Sequence, residues 1–98
     1  MKSIIFLSFE VIIAINEQQV KLFGGAQGVR DLNLLKSACA QPQTIVNGAF
    51  AYAEIHLMAA VYAHGIIKNH PFLDGNKRTG MAVALIFLDT NGYDYWCV

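Results

Sequence analysis

Two apolar runs flanking a polar junction constrain this chain most. Residues Glu54 to Lys68 read as a helix whose Ile55, Leu57, Met58, Val61, Tyr62, Ile66 and Ile67 leave little polar surface. A second helix is expected from near Asn76 to Thr90, and its "MAVALIFL", residues 81 to 88, is apolar all round. A helix without a polar face belongs in an interior or a membrane. No stretch of about 18 uninterrupted apolar residues is present, so two buried helices are expected rather than a membrane span.

The remaining elements are local. Ser8 is placed to cap a helix beginning at Phe9, with Phe9, Ile12, Ile13, Val20 and Phe23 at helical spacing and Glu17 and Lys21 on the wetter side. Gly24 and Gly25 stop it. After the loop "AQGVR", Asp31 caps a short helix, "LNLLKSACA", with Leu32, Leu35 and Cys39 on one face and Pro42 at its end. Residues 43 to 52 show no helical period, and Asn47-Gly48 marks an extended flap or hairpin. The expectation is one all-α domain, residues 1–98, with a small extended flap. The N-terminal "MKSIIFLSF" imitates a secretory leader, but Glu10 interrupts it and no small-residue cleavage pattern follows. It is read as part of a cytoplasmic fold, with Cys39 and Cys97 as reduced thiols.

Charge narrows the function. Seven cations balance seven acids among 98 residues, so there is no basic excess for direct nucleic-acid binding. The polar chemistry concentrates in "HPFLDGNKRTG", residues 70 to 80, between the two apolar helices. Pro71 stiffens the turn and Phe72 anchors it in the core. Gly75 lets the backbone bend just before a helix N-terminus, where free amides and the dipole favour anions. Lys77 and Arg78 oppose that dipole unless an anion lies between them. Asp74 would repel phosphate, and a magnesium ion shared between carboxylate and phosphate resolves the conflict. His70, four residues earlier, suits a general base for a hydroxyl nucleophile. Taken singly, each residue has an ordinary use: Asp74 as a cap, His70 on a carbonyl, Lys77 and Arg78 in solvent. Their concentration at one junction favours nucleotide phosphates, magnesium and a base. "GGAQGVR" lacks the ending of a phosphate loop, and His56 and His64 read as ordinary helix residues.

The junction resembles the central motif of the Fic/Doc family, H-x-F-x-[D/E]-G-N-G-R-x-x-R. His70, Phe72, Asp74, Gly75, Asn76 and Arg78 match it. Lys77 stands where most Fic enzymes have glycine, and Met81 where they have the second arginine. Both departures resemble the Doc branch, the death-on-curing toxins, as do "FGGAQGVRD" and "LIFLDTNGY". The resemblance implies a compact helical domain acting as the toxin of a toxin–antitoxin pair. His70 would be the catalytic base and Asp74 the magnesium ligand. The Gly75 backbone, Asn76, Lys77 and Arg78 would hold the phosphates of ATP, and a flap near residues 47 to 53 would align the target. The implied reaction is a kinase reaction: the γ-phosphate moves to a threonine of the elongation factor that delivers aminoacyl-tRNA, and translation stops. Two other readings stay open: AMP transfer, as in typical Fic enzymes, and an inactive shortened domain that only binds its antitoxin or itself. Similar chains continue with further helix past the position of Val98, so the domain is expected to be shortened at its C-terminus. A patch of Tyr93, Tyr95, Trp96 and Val98 is expected to seek a partner, either an antitoxin segment or a second copy.

Overall fold

Ser8 starts the first helix as its spacing predicts: its Oγ accepts the Val11 N–H at 3.3 Å. The computed structural model describes residues 3–93, and Tyr95, Trp96, Cys97 and Val98 lie outside the described residues. Helix α1 runs Phe9–Phe23 and ends where Gly24, at φ 89°, turns its N–H back to Val20 O. Asp31 caps α2, Leu32–Ala40, through the Leu34 N–H at 3.0 Å. Pro42 does not end the helical path at once. It sits in a tighter 3₁₀ turn, Gln41–Gln43, whose first positions need no proline N–H. Strands β1, Ile45–Val46, and β2, Ala49–Phe50, then pair antiparallel with Ile45 opposite Phe50. The turn between them has positive φ at both Asn47 and Gly48, the hairpin geometry that an Asn-Gly pair favours. Helices α3, Ile55–Asn69, and α4, Asn76–Thr90, complete an all-α domain with one small hairpin.

Helices α3 and α4 form the central pair. They approach so closely at Gly80 that a Cβ there would stand 3.0 Å from an Ile67 side-chain carbon and 3.1 Å from Ala63 O. Gly65 gives α2 the same access, since its Cβ would meet that of Ala38 at 3.1 Å. Both helices were expected to be buried on all sides, and neither is. Met58, Ala59, Tyr62 and Ile66 of α3 and Val83, Phe87 and Leu88 of α4 are buried, while Leu57, Met81, Leu85 and Ile86 are exposed. The domain measures 40 × 31 × 19 Å. With helices about 10 Å across, its thin dimension holds two layers, so each helix keeps an outer edge. Leu32, the first residue of α2, and Phe23, the last of α1, are also exposed, against the expected faces of those helices. Leu35 and Cys39 are buried as expected, and burial, with Glu10 nearby, pushes the Cys39 thiol up to about 11.

The segment before α1 is extended and is held by two side chains. Asn91 accepts the Ile5 N–H at 2.8 Å and donates to Ile5 O at 2.9 Å. The Tyr62 hydroxyl accepts the Leu7 N–H at 3.0 Å and donates to Leu7 O at 3.3 Å. Each side chain thus mimics one rung of a strand ladder, two residues apart. Phe6 fills the space between them, stacked on Phe87 and edge-on to Phe50, which ties the hairpin to the core. No helix among the described residues is long and apolar enough to cross a membrane.

Burial pushes the Tyr62 phenol up to about 12 even though its bond to Leu7 pulls the other way. The folded state therefore keeps this proton where the unfolded chain, ionising near its ordinary value of about 10, gives it up. The contribution to stability is full below pH 10 and is lost as pH rises toward 12. Tyr62→Phe leaves the Leu7 N–H and carbonyl unpaired, so it is expected to lower stability at pH 7 by about 1–3 kcal/mol. The variant should also decline less steeply than the parent between pH 10 and 12. Urea unfolding at pH 7, 10 and 11.5 measures both effects.

Candidate active site

His70 ends α3 in the left-handed conformation, φ 48° and ψ 55°, with its N–H on Ile66 O. Glycine would adopt this more easily, and holding another residue there costs about 1–3 kcal/mol. A histidine kept at such a place points to a use for its side chain. Five residues later Gly75, also left-handed at φ 76°, turns the chain into α4. Between the two, Pro71 and Phe72 are fully buried, so the turn is nailed to the core where the sequence placed its anchor.

Asn76 closes the turn from inside. Its Oδ1 accepts the Phe72 N–H and its Nδ2 donates to Phe72 O, both at 2.9 Å. Both polar atoms of its side chain thus serve the loop, and its main-chain amide faces the start of α4. Its Nδ2 also stands 3.4 Å from His70 Nδ1. The Nδ2 group of asparagine can only donate, so a bond here would need Nδ1 bare and the neutral ring's proton on Nε2. A base at Nε2 needs the opposite tautomer. The contact is longer than the usual range of about 2.7–3.2 Å, and it steers the ring without fixing the tautomer.

Residues that the motif does not contain hold it from outside. Asn16, buried in α1, donates through Nδ2 to Asp74 O and to Thr79 Oγ1, each at 3.0 Å. Arg30 takes the last carbonyls of α3, with Nε on His70 O at 2.6 Å and a terminal nitrogen on Asn69 O at 2.8 Å. The Ala26 N–H donates to Asp74 Oδ2 at 2.7 Å. Gly28 O accepts the Leu73 N–H, and Pro71 O accepts the amides of Arg30 and Asp31, so the "GGAQGVR" segment pairs with the motif. Asn16 carried a legible signal, a polar residue at the middle of the Ile12–Val20 stripe. Arg30 and Ala26 carried none, because their bonds exist only once the loop has packed.

A cleft of about 840 Å³ gathers His70, Asp74, Gly75, Asn76, Lys77 and Arg78, with Leu73 and Met81 as apolar walls. Six of the seven site residues named from sequence thus share one cleft, and Phe72 lies beneath it. The first intrahelical bond of α4 runs from Thr79 N–H to Gly75 O, so the amides of Asn76, Lys77 and Arg78 have no acceptor in the helix. Lys77 is exposed at this end. The Arg78 guanidinium lies over the Phe23 ring, 4.1 Å from its centre, at the edge of the same cleft. Among the described residues no group of three or more His, Cys, Asp or Glu could hold a metal. Any divalent cation here would rely on Asp74 and on oxygens of a bound phosphate. Among the described residues the hairpin contributes none to the lining of this cleft.

The fold and the cleft define a small helical domain whose site is a histidine-to-glycine turn feeding an open helix N-terminus. Residues 6–88 match the family described as the Fic/DOC family, and the chain belongs to that family. It is 46% identical over 70 residues to "Toxin Doc" of Mycolicibacterium smegmatis, a match covering 71% of this chain and 54% of that protein. It is 33% identical over 89 residues to "Protein kinase doc" of Escherichia phage P1, covering 88% of this chain and 68% of that protein. The chain thus spans about half the length of the first relative and about two thirds of the second. No solved structure matches it significantly.

Asn76→Ala is expected to leave the Phe72 N–H and carbonyl buried without partners, at about 1–3 kcal/mol for each group not rescued by water. The loss should appear as a lower urea midpoint with unchanged helical circular dichroism at zero denaturant. Arg78→Ala, which removes only an exposed cation–π contact of about 0.5–1 kcal/mol, should change the midpoint much less.

Proposed function

We propose that this chain is a toxin-type protein kinase of the Doc branch, moving the γ-phosphate of ATP to a protein hydroxyl. The observation that carries the reading is the exposed Lys77 at the open N-terminus of α4, beside His70 in the same cleft. A glycine at that position would let a phosphate chain lie close over the helix end. A lysine adds four carbons and a charge there, which favours a nucleotide lying the other way round, with its terminal phosphate near His70. The name of the phage P1 relative, "Protein kinase doc", supports the same choice.

The residues present fit this chemistry. The amides of Asn76, Lys77 and Arg78 and the Lys77 ammonium would hold phosphate oxygens, and Arg78 needs only to swing off Phe23 to join them. Asp74 keeps one carboxylate oxygen without a hydrogen bond among the described residues, which suits a magnesium ion shared with the nucleotide. Such an ion would neutralise charge on the phosphates. His70 would take the proton of the attacking hydroxyl. The oxygen of that hydroxyl forms the new bond to the γ-phosphorus, the bond to the bridging oxygen breaks, and ADP leaves. Positioning and electrostatics supply most of the acceleration in such transfers.

The target we propose is a threonine of the translation elongation factor that carries aminoacyl-tRNA, reached in the cytoplasm. The partner is an antitoxin. The exposed apolar side chains around the cleft, Phe23, Leu73 and Met81, would suit a segment that folds upon this face.

ATP labelled separately at the α and γ positions, with cell extract as acceptor, tests the transfer. Label reaching protein only from the γ position is expected, and label from the α position would mean AMP transfer and overturn the reading of Lys77. His70→Ala should reduce transfer about 10²–10⁴-fold with little change in thermal stability. A fully active His70→Ala chain would remove the base from the mechanism.

A further inference from the structure

We propose that the loop of residues 25–28 is the positioning element of the Asp74 carboxylate, presenting it to a small octahedral cation through a single oxygen. The inference rests on the nucleotide–magnesium reading of the cleft and adds a role for residues outside the motif. Asp74 is held at three points. Its carbonyl accepts the Asn16 amide at 3.0 Å, which fixes the main chain. Its Oδ2 accepts the Ala26 N–H at 2.7 Å, which fixes the side chain. Gly25 packs against it so closely that a Cβ would stand 2.9 Å from Asp74 Cβ and 3.3 Å from the carboxyl carbon. The neighbouring bond from Leu73 N–H to Gly28 O keeps the two segments in register.

The chemistry follows from which oxygen is left. A charge-assisted bond of this length is among the stronger hydrogen bonds. With one lone pair of Oδ2 committed to Ala26, Oδ1 is the oxygen with both lone pairs open, and a cation taken through Oδ1 alone leaves that bond undisturbed. Calcium accepts six to eight oxygens and commonly takes a carboxylate through both, whereas magnesium keeps near-ideal octahedral geometry and suits single oxygens. The loop therefore favours magnesium or manganese over calcium at this cleft.

Gly24 supplies the control. It too has positive φ, 89° against 122° at Gly25, but a Cβ there would meet nothing within 4 Å. Alanine at either position bears backbone strain, and only alanine at 25 pushes Asp74. The full chain would be titrated with MgCl₂ or CaCl₂ in the presence of the non-hydrolysable ATP analogue AMP-PNP, reading the rise in unfolding temperature. The wild type should respond more strongly to Mg²⁺ than to Ca²⁺. Gly25→Ala should need about 10–100-fold more Mg²⁺ for half its response, in line with losses on removing partners of metal ligands. Gly24→Ala should keep the wild-type midpoint, whatever stability it loses. Equal Mg²⁺ midpoints in the two alanine variants overturn the proposal. If Gly25→Ala does not fold, the wild type still decides, since a response to Ca²⁺ equal to or above that to Mg²⁺ overturns it. His70→Ala should retain the Mg²⁺ response, which separates the cation from the base. A wild-type chain with no cation-dependent response removes the nucleotide–magnesium reading, and this inference with it.

Discussion

The chain must turn between two helices that touch along their length, and it has six residues, His70 to Gly75, in which to do so. Everything else in the domain bears on that turn. Two left-handed residues make it possible, and the Asn76 side chain closes it by pairing with both polar groups of Phe72. Burying Pro71 and Phe72 stops the turn from sliding. The same geometry leaves the amides at the start of α4 open and puts His70 at the edge of the space in front of them. The fold and the site are thus one constraint, and a change that loosens the turn affects both.

The charges around the turn are set against their immediate surroundings. Lys77 and Arg78 lie at the positive end of a helix dipole, a placement unfavourable by about 0.3–1 kcal/mol per charge. Arg78 recovers a comparable amount by lying on Phe23, at about 0.5–1 kcal/mol for an exposed cation–π pair. Among the described residues Lys77 is in no such pair, and Asp74 is steadied by a main-chain amide and by no salt bridge. An arrangement with a strained histidine, an uncompensated lysine and a half-engaged carboxylate is poor as a stability device. It fits the prepared site proposed above, in which a polyphosphate with its counter-ion would relieve the conflicts.

The thinness of the domain shapes its surface in the same way. Two helical layers bury Tyr62, Phe87 and Val83 completely but leave apolar edges on α3 and α4. Tyr93, the described member of the expected C-terminal patch, is exposed and rests edge-on against His56. His56 in turn holds the Glu54 carboxyl below the usual carboxylate range through a hydrogen bond at the start of α3. His56 and His64 are thus helix-surface residues, as the sequence suggested.

Sequence by itself determined what depends on neighbours in the chain. The caps at Ser8 and Asp31, the Asn47-Gly48 turn and the start of α4 at Asn76 all follow from contacts within a few residues, whose geometry is the same in any protein. The candidate site was legible for the same reason, since its residues are contiguous from His70 to Arg78. Tertiary structure decided which atoms of those residues remain available. Asn16 meets Asp74 across 58 positions and Ala26 meets it across 48, and Arg30 reaches the end of α3 across 39 and 40. Those bonds depend on how α1 and its following loop lie against the turn, a matter of packing that no spacing encodes. The same packing laid Arg78 on Phe23, 55 residues away in sequence, because a donor takes whichever acceptor or ring the assembled core brings within reach.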